Sequence, residues 1–168
     1  RTRLERARRA ALAIRDGLGA VPTGIASLSD RALPHLLPSP DRETFARVLT
    51  RAIRAGHPAP AGFGPVATDL GALASLATAN YFDPAARRRA VVVLTDAESA
   101  PIDAAALQEA FRAGPGAALV LVRVGRDGER VFDEAGRPEP GYVPTPDGGR
   151  LAAQVAAATS GAAFDEDE

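Results

Sequence analysis

The sequence predicts an α/β fold: a doubly wound, mostly parallel sheet with helices on both faces. Three observations lead there. Apolar runs bounded by turn residues alternate along the chain with segments of helical period. Two of those runs, 91–94 and 118–122, are continuous, as central parallel strands are. The 168 residues, 46% hydrophobic and 24% charged, suit one domain with a single sizeable core.

Residues 2–18 form an amphipathic helix. Thr2 and Glu5 have capping-box spacing, and Leu4, Ala7, Ala11, Ile14 and Leu18 fall on one stripe. Arg3, Arg6 and Arg9 lie off the stripe, and with acidic residues interleaved they read as a solvated face. Residues 21–28 are a strand, "SDRA" a tight turn, and "LPHLL" (33–37) a short edge strand, because Pro34 has no amide to donate. A second helix follows "SPD", with Phe45, Val48, Leu49, Ala52 and Ile53 inward and Gly56 at its stop. The Pro/Gly-rich loop 57–67 leads into a third helix from Thr68, with Leu70, Leu73, Ala74 and Ala77 inward.

The stretch "RRRAVVVLTDAESA" (87–100) is a strand with a solvated entrance, Arg87 to Arg89, and both faces covered. Its apolar run stops at Thr95 and Asp96. A fourth helix covers 102–114 and another strand 117–125. Residues 126–148 are polar and rich in Gly and Pro, a surface excursion in which "ERVFD" is a candidate strand. A last helix (148–161) and a short strand (162–164) follow. Residues 1–164 are therefore read as one domain carrying the 126–148 insertion, with 165–168 a solvated acidic tail.

Composition excludes several functions. A net charge of -1 provides no field for nucleic acid or an acidic membrane. Absence of cysteine excludes disulfides, thiolate zinc sites and cysteine nucleophiles. No apolar run has the length of a membrane span and no signal peptide is visible. All 20 basic residues are arginine, which with the abundant Ala, Gly and Pro suggests a GC-rich bacterial genome. No Walker A, GxGxxG, GxSxG or HExxH motif occurs. The two histidines, His35 and His57, each stand beside a proline and read as exposed loop residues.

What remains is a pair of oxygen donors. Ligands of open α/β sheets bind at the carboxyl ends of the strands, and Asp96 stands at that end of the most apolar strand. Thr68 begins a helix after a long loop that opens on the same edge. A hydroxyl and a carboxylate together suit a hard cation such as Mg²⁺. Each residue also has a plainer role: Thr68 or Asp69 as a helix cap, and Asp96 as a cap or turn former.

At these residues the sequence resembles the von Willebrand factor type A domain. "TDLGALASLA" resembles the family's threonine loop and following helix, and "RRRAVVVLTDAES" its fourth strand. "VPTGIASLSDRALPHLLPSPD" is similar to its second strand, turn and third strand, and "TSGAAF" to its closing helix and strand. The resemblance implies a metal-ion-dependent adhesion site for Mg²⁺ or Mn²⁺, with Thr68 a direct ligand and Asp96 a water-mediated one. A partner protein's carboxylate would complete the coordination, and Asp69 would be a weaker partner contact. It further implies a non-enzymatic adhesion or protein-interaction role, without nucleic acid, in a bacterial protein; many bacterial relatives in that family are membrane-anchored with this domain outside the cytoplasm, but these residues do not show it.

The family's DxSxS motif and first strand are absent from the sequence, and the resemblance places them upstream of Arg1. The 168-residue chain alone is thus expected to be poorly stable and to bind metal weakly. Ala97 stands where the family usually has glycine, and Ala67 precedes Thr68 where glycine is common. Two rival readings carry different tests. A hydrolase or phosphatase-like domain would use Asp96 as a catalytic or Mg²⁺-binding carboxylate, with only Glu98 as a neighbouring acid. A domain with a decayed metal site would be purely structural.

Overall fold

The structure, a computed structural model, describes residues 2–54, 68–126, 128–132, 137–138 and 148–167. In order come α1 (Arg3–Gly17), β1 (Thr23–Leu28), β2 (Ala32–Ser39) and α2 (Arg42–Ala52). A 3-10 turn (Leu70–Leu73) continues as α3 (Ala74–Thr78), followed by β3 (Ala90–Thr95) and α4 (Ala104–Arg112). The last elements are β4 (Ala118–Arg123), α5 (Gly148–Ala158) and β5 (Ala162–Asp165).

The fold is mixed α/β around a three-stranded parallel sheet, ordered β3-β4-β5. Ala90 to Thr95 pair with Ala118 to Arg123, and Val120 to Arg123 pair with Ala162 to Asp165. β1 and β2 form a separate antiparallel pair, in which Pro34 lies opposite Ala26. Among the described residues no ladder joins β1 to β3, so the parallel sheet has β3 as an edge.

Residues two apart on a strand share a face. Val91 pairs with Leu119 and Val93 with Leu121, and these four pack with Leu70, Leu73, Leu107, Phe111 and Val155. The expectation that Val91 to Leu94 is covered on both faces is corrected: Val92 is 38% exposed. An edge strand has fewer neighbours, and its outer face is correspondingly open.

A second cluster is separate. Ile25, Phe45 and Leu49 are buried, with Ala11, Leu12, Leu36, Val48 and Ile53 packed around them. The described residues therefore carry two apolar clusters where the sequence reading places one.

The α1 capping box forms as predicted: Glu5 N–H donates to Thr2 Oγ1, and Thr2 N–H to Glu5 Oε2. Its buried face is rotated from the predicted stripe, with Leu18 41% exposed and Arg15 only 2%. The Arg15 guanidinium donates to the carbonyls of Gly19 and Pro40, which lets a cation lie under α1. The third helix is shorter than predicted and begins as 3-10, with Asp69 capping it by accepting from Gly71 N–H at 2.7 Å.

Three further expectations change. Phe132 forms only an isolated antiparallel bridge with Pro138 among the described residues, not a strand. His35 sits inside β2, with Nε2 2.7 Å from Ser27 Oγ, and is not a loop histidine. The acidic end is held: Asp165 ends β5 and pairs with Arg123 at 2.6 Å, Glu166 pairs with Arg6 at 2.9 Å, and Asp167 with Arg126 at 2.8 Å. Of the three, only Glu166, 11% exposed, is withdrawn from solvent; Asp165 and Asp167 keep 54% and 69% of their side chains exposed, as the solvated reading expects. Gly56, the 57–67 loop with His57, and Ala67 lie outside the described residues.

Candidate functional site

Parallel strands deliver their carboxyl ends to one edge, and Asp96 leaves β3 there. The turn is fixed by side chains bonding the backbone two residues ahead. Thr95 Oγ1 accepts from Ala97 N–H at 3.0 Å, and Asp96 Oδ1 accepts from Glu98 N–H at 3.2 Å. Ala97 is fully buried with φ 61, a left-handed conformation that costs a non-glycine residue roughly 1 kcal/mol. The turn thus takes the shape that glycine adopts freely, and alanine adopts it under strain.

Asp96 does not cap the next helix. Asp103 does so, accepting from Ala105 and Ala106 N–H at 3.0 Å each. Asp96 is a turn former whose second oxygen, Oδ2, lies 3.2 Å from Arg3 Nη1, with the side chain 36% exposed.

Thr68 is strapped to the segment just beyond Asp96. It bridges to Ser99 in parallel sense, its carbonyl accepts from Ala100 N–H at 2.8 Å, and Ser99 Oγ accepts from Leu70 N–H at 3.1 Å. Asp69 N–H donates to the Ser29 carbonyl at 2.8 Å, which ties the same segment to the end of β1. Leu70 and Leu73, 0% and 2% exposed, anchor it in the core as expected. The structure therefore sets the Thr68 segment beside the Asp96 loop, while the Asp69 carboxylate is engaged in its cap.

The first turn of α1 reaches the same edge. Arg3 Nη1 contacts both Asp96 Oδ2 at 3.2 Å and Glu98 Oε1 at 3.3 Å. Its Nη2 donates to the Glu129 carbonyl at 3.4 Å. Arg6 pairs with Glu129 at 2.7 Å and with Glu166 at 2.9 Å, and Glu166 also accepts from Gly125 N–H at 3.2 Å. Arg3 and Arg6 are only 19% and 23% exposed, which corrects their reading as a solvated face.

The hydrogen bond to Glu129 raises the Arg6 pKa above its ordinary value against the opposing effect of burial, and Glu166 adds to the rise. Burial pushes the Glu129 carboxyl upward, but the Arg6 hydrogen bond, the Arg126 amide and the charges of Arg6 and Arg3 outweigh it. The net pKa lies below the usual value.

The sequence reading missed Arg3, Arg6, Glu129 and Glu166. One signal was available. A helix N-terminus carries partial positive charge, so two arginines in the first turn of α1 are misplaced unless carboxylates meet them.

Asp96 and Thr68 are oxygen donors of the kind a hard divalent cation takes, and the half-exposed carboxylate is reachable. Among the described residues no group of three or more His, Cys, Asp or Glu is arranged to hold a metal. Among them, too, no helix is long and apolar enough to cross a membrane.

No protein-family model matches the chain, and no curated protein matches it. Among the solved structures that share the fold are two bacterial proteins. An aerotolerance-related membrane protein from Bacteroides fragilis aligns with a TM-score of 0.71 at 21% identity, covering 96% of this chain and 80% of that one. A conserved hypothetical protein, BatB, from Bacteroides thetaiotaomicron aligns with a TM-score of 0.71 at 20% identity, covering 96% of this chain and 78% of that one.

Proposed function

We propose that the chain is a protein-interaction domain of the von Willebrand factor type A kind, and that it engages its partner at the carboxyl edge of its parallel sheet. The observation that carries this reading is the strap between Thr68 and Ser99–Ala100, which sets a hydroxyl-bearing segment beside the loop of Asp96. Thr68 and Asp96 would hold Mg²⁺ or Mn²⁺, and the cation would supply a Lewis-acidic bridge to a carboxylate of the partner protein. Asp69, turned toward its own helix, would contribute at most a peripheral contact.

In the family that the sequence resembles, the remaining ligands come from a DxSxS segment. The open edge of β3 is where a strand carrying such a segment would pair. A fully doubly wound sheet would follow from that addition. Such a domain would bind without catalysing. The description of a fold relative as a membrane protein supports a membrane-associated parent.

The test is a Mn²⁺ titration followed by calorimetry, comparing the parent chain, Thr68→Ala and Asp96→Ala, each in the 168-residue form and extended upstream by a DxSxS strand. Both substitutions are expected to weaken binding at least tenfold, and the extension to strengthen it. Equal affinity throughout would sink the adhesion-site reading.

A further inference from the structure

We propose that Arg3 is a built-in counter-cation for Asp96, so that a divalent ion gains this carboxylate only by displacing the guanidinium. The inference rests on the reading of Asp96 as a cation ligand, and adds a regulator to it.

A single nitrogen, Arg3 Nη1, lies 3.2 Å from Asp96 Oδ2 and 3.3 Å from Glu98 Oε1. One positive group between two carboxylate oxygens is the place a metal ion would take. Asp96 Oδ1 is meanwhile engaged by Glu98 N–H, so Oδ2 is the oxygen that turns toward solvent and charge. Arg3 is also held from behind, because Nη2 donates to the Glu129 carbonyl and Nε lies 3.8 Å from Glu129 Oε2. Arg6 fixes Glu129 in turn.

The position of Arg3 sharpens the point. It is the first residue of α1, where the helix dipole disfavours a cation by a fraction of a kcal/mol. Helix formation therefore does not account for a guanidinium there, whereas the two carboxylates do. A divalent ion approaching Oδ2 meets this fixed charge at close range and must both repel it and break its hydrogen bonds. Glu129 remains as a partner for the displaced guanidinium, so the exchange does not strand a charge.

The consequence is a competition between metal and a residue on the helix start. Anything that draws the first turn of α1 away from β3 opens Asp96. Ionic strength acts on both competitors, but the removal of Arg3 acts on one alone.

The experiment measures Mn²⁺ binding to the 168-residue chain by electron paramagnetic resonance, for the parent and four variants. Arg3→Gln is expected to bind roughly tenfold tighter than the parent, the effect of one neighbouring charge at partial exposure. Arg9→Gln, which removes the same charge from an exposed position of the same helix, is expected to match the parent. Arg3→Lys, which keeps one positive nitrogen, is also expected to stay near the parent. Arg3→Gln combined with Asp96→Asn is expected to lose the gain.

Equal affinity of the parent and Arg3→Gln overturns the proposal, whether both bind or neither does. So does a gain that survives Asp96→Asn, or one that Arg9→Gln reproduces. A parent chain that binds Mn²⁺ through Asp96 with no response to Arg3→Gln refutes the counter-cation and leaves the adhesion-site reading standing. A gain in Arg3→Gln that Asp96→Asn abolishes, alongside unchanged Mn²⁺ affinity in Thr68→Ala, does the reverse: it upholds the counter-cation and sinks the two-ligand site.

Discussion

Gly161 is where one methyl group should undo the most structure. α5 ends with Ser160 in a left-handed conformation at φ 56, and Gly161 N–H closes the helix on the Ala156 carbonyl at 2.8 Å. The chain then enters β5 against β4 so closely that a Cβ on Gly161 would lie 1.7 Å from the Leu119 carbonyl oxygen and 2.8 Å from its carbon. These are backbone atoms of the central strand, so no side chain can swing aside. Gly161→Ala must push β5 off β4 by more than an ångström just before the pairing of Val120 with Ala162. Overpacking of this kind costs about 3 kcal/mol. That corresponds to a fall of roughly 6–12 °C in melting temperature for a chain of this size. Hydrogen exchange of the Ala162–Asp165 amides should accelerate as well, because their ladder opens first. The control is Gly17→Ala, at the end of α1 with nothing within 4 Å of its added Cβ. Alanine is the better helix former there by about 0.5–1 kcal/mol, so that variant should melt slightly higher. Thermal unfolding followed by circular dichroism decides between them. A Gly161→Ala protein melting within 2 °C of the parent, a margin below roughly 1 kcal/mol, would refute the close approach of β5 to Leu119.

Two further outcomes follow from the charges and caps. Glu129 is depressed in the folded state, so its stabilisation is complete above its unfolded value of about 4.3 and is lost as pH falls through the lower folded value. Glu129→Gln should therefore lower the urea midpoint at pH 7, and the gap from the parent should narrow below about pH 4. A gap that stays constant with pH would contradict this. Asp16 and Asp41 are depressed by Arg42 and by the Thr44 hydroxyl, and both steepen the same acid limb in parent and variant. Asp103→Ala should cost about 1 kcal/mol through loss of the α4 cap. Asp96→Ala should leave α4 amide protection unchanged; faster exchange of Ala105 and Ala106 in that variant would show that Asp96 shares the capping.

The parts legible in the sequence were those set by local periodicity and local capping. The Val91–Leu94 run, the Phe45–Leu49 face and the Thr2–Glu5 box each depend on residues a few positions apart, and each formed. The placement of Asp96 at the carboxyl end of β3 followed from strand direction alone. What stayed hidden was contact across long chain separations. Nothing near Arg3 in the sequence announces Glu98 or Glu129, and nothing near Glu166 announces Arg6. Within "DEDE", Glu166 looks solvated because its partner Arg6 is 160 residues away, while Arg123 and Arg126 lie 42 and 41 residues from Asp165 and Asp167. Burial of Val92 was misjudged for a related reason: a continuous apolar run marks a strand, but whether its second face is covered depends on neighbours that the run itself does not encode.

The charge arrangement at this edge also bears on how the two apolar clusters hold together. α1 packs Ala11 and Leu12 into the cluster of Ile25, Phe45 and Leu49, whereas its first turn is tied to β3 by Arg3 and to the end of β5 by Arg6. With no ladder between β1 and β3 among the described residues, the α1 arginines and the Asp69–Ser29 hydrogen bond are prominent links between the two halves. Partly exposed ion pairs contribute about 1 kcal/mol or less each and weaken with salt. Leu28 of β1 also packs against the larger cluster, so one part of the coupling is apolar, and the part carried by the arginines should be the salt-sensitive one. On the proposed reading, a cation that displaces Arg3 from Asp96 would alter the coupling as well as the site, and occupancy at the sheet edge would be linked to the docking of α1.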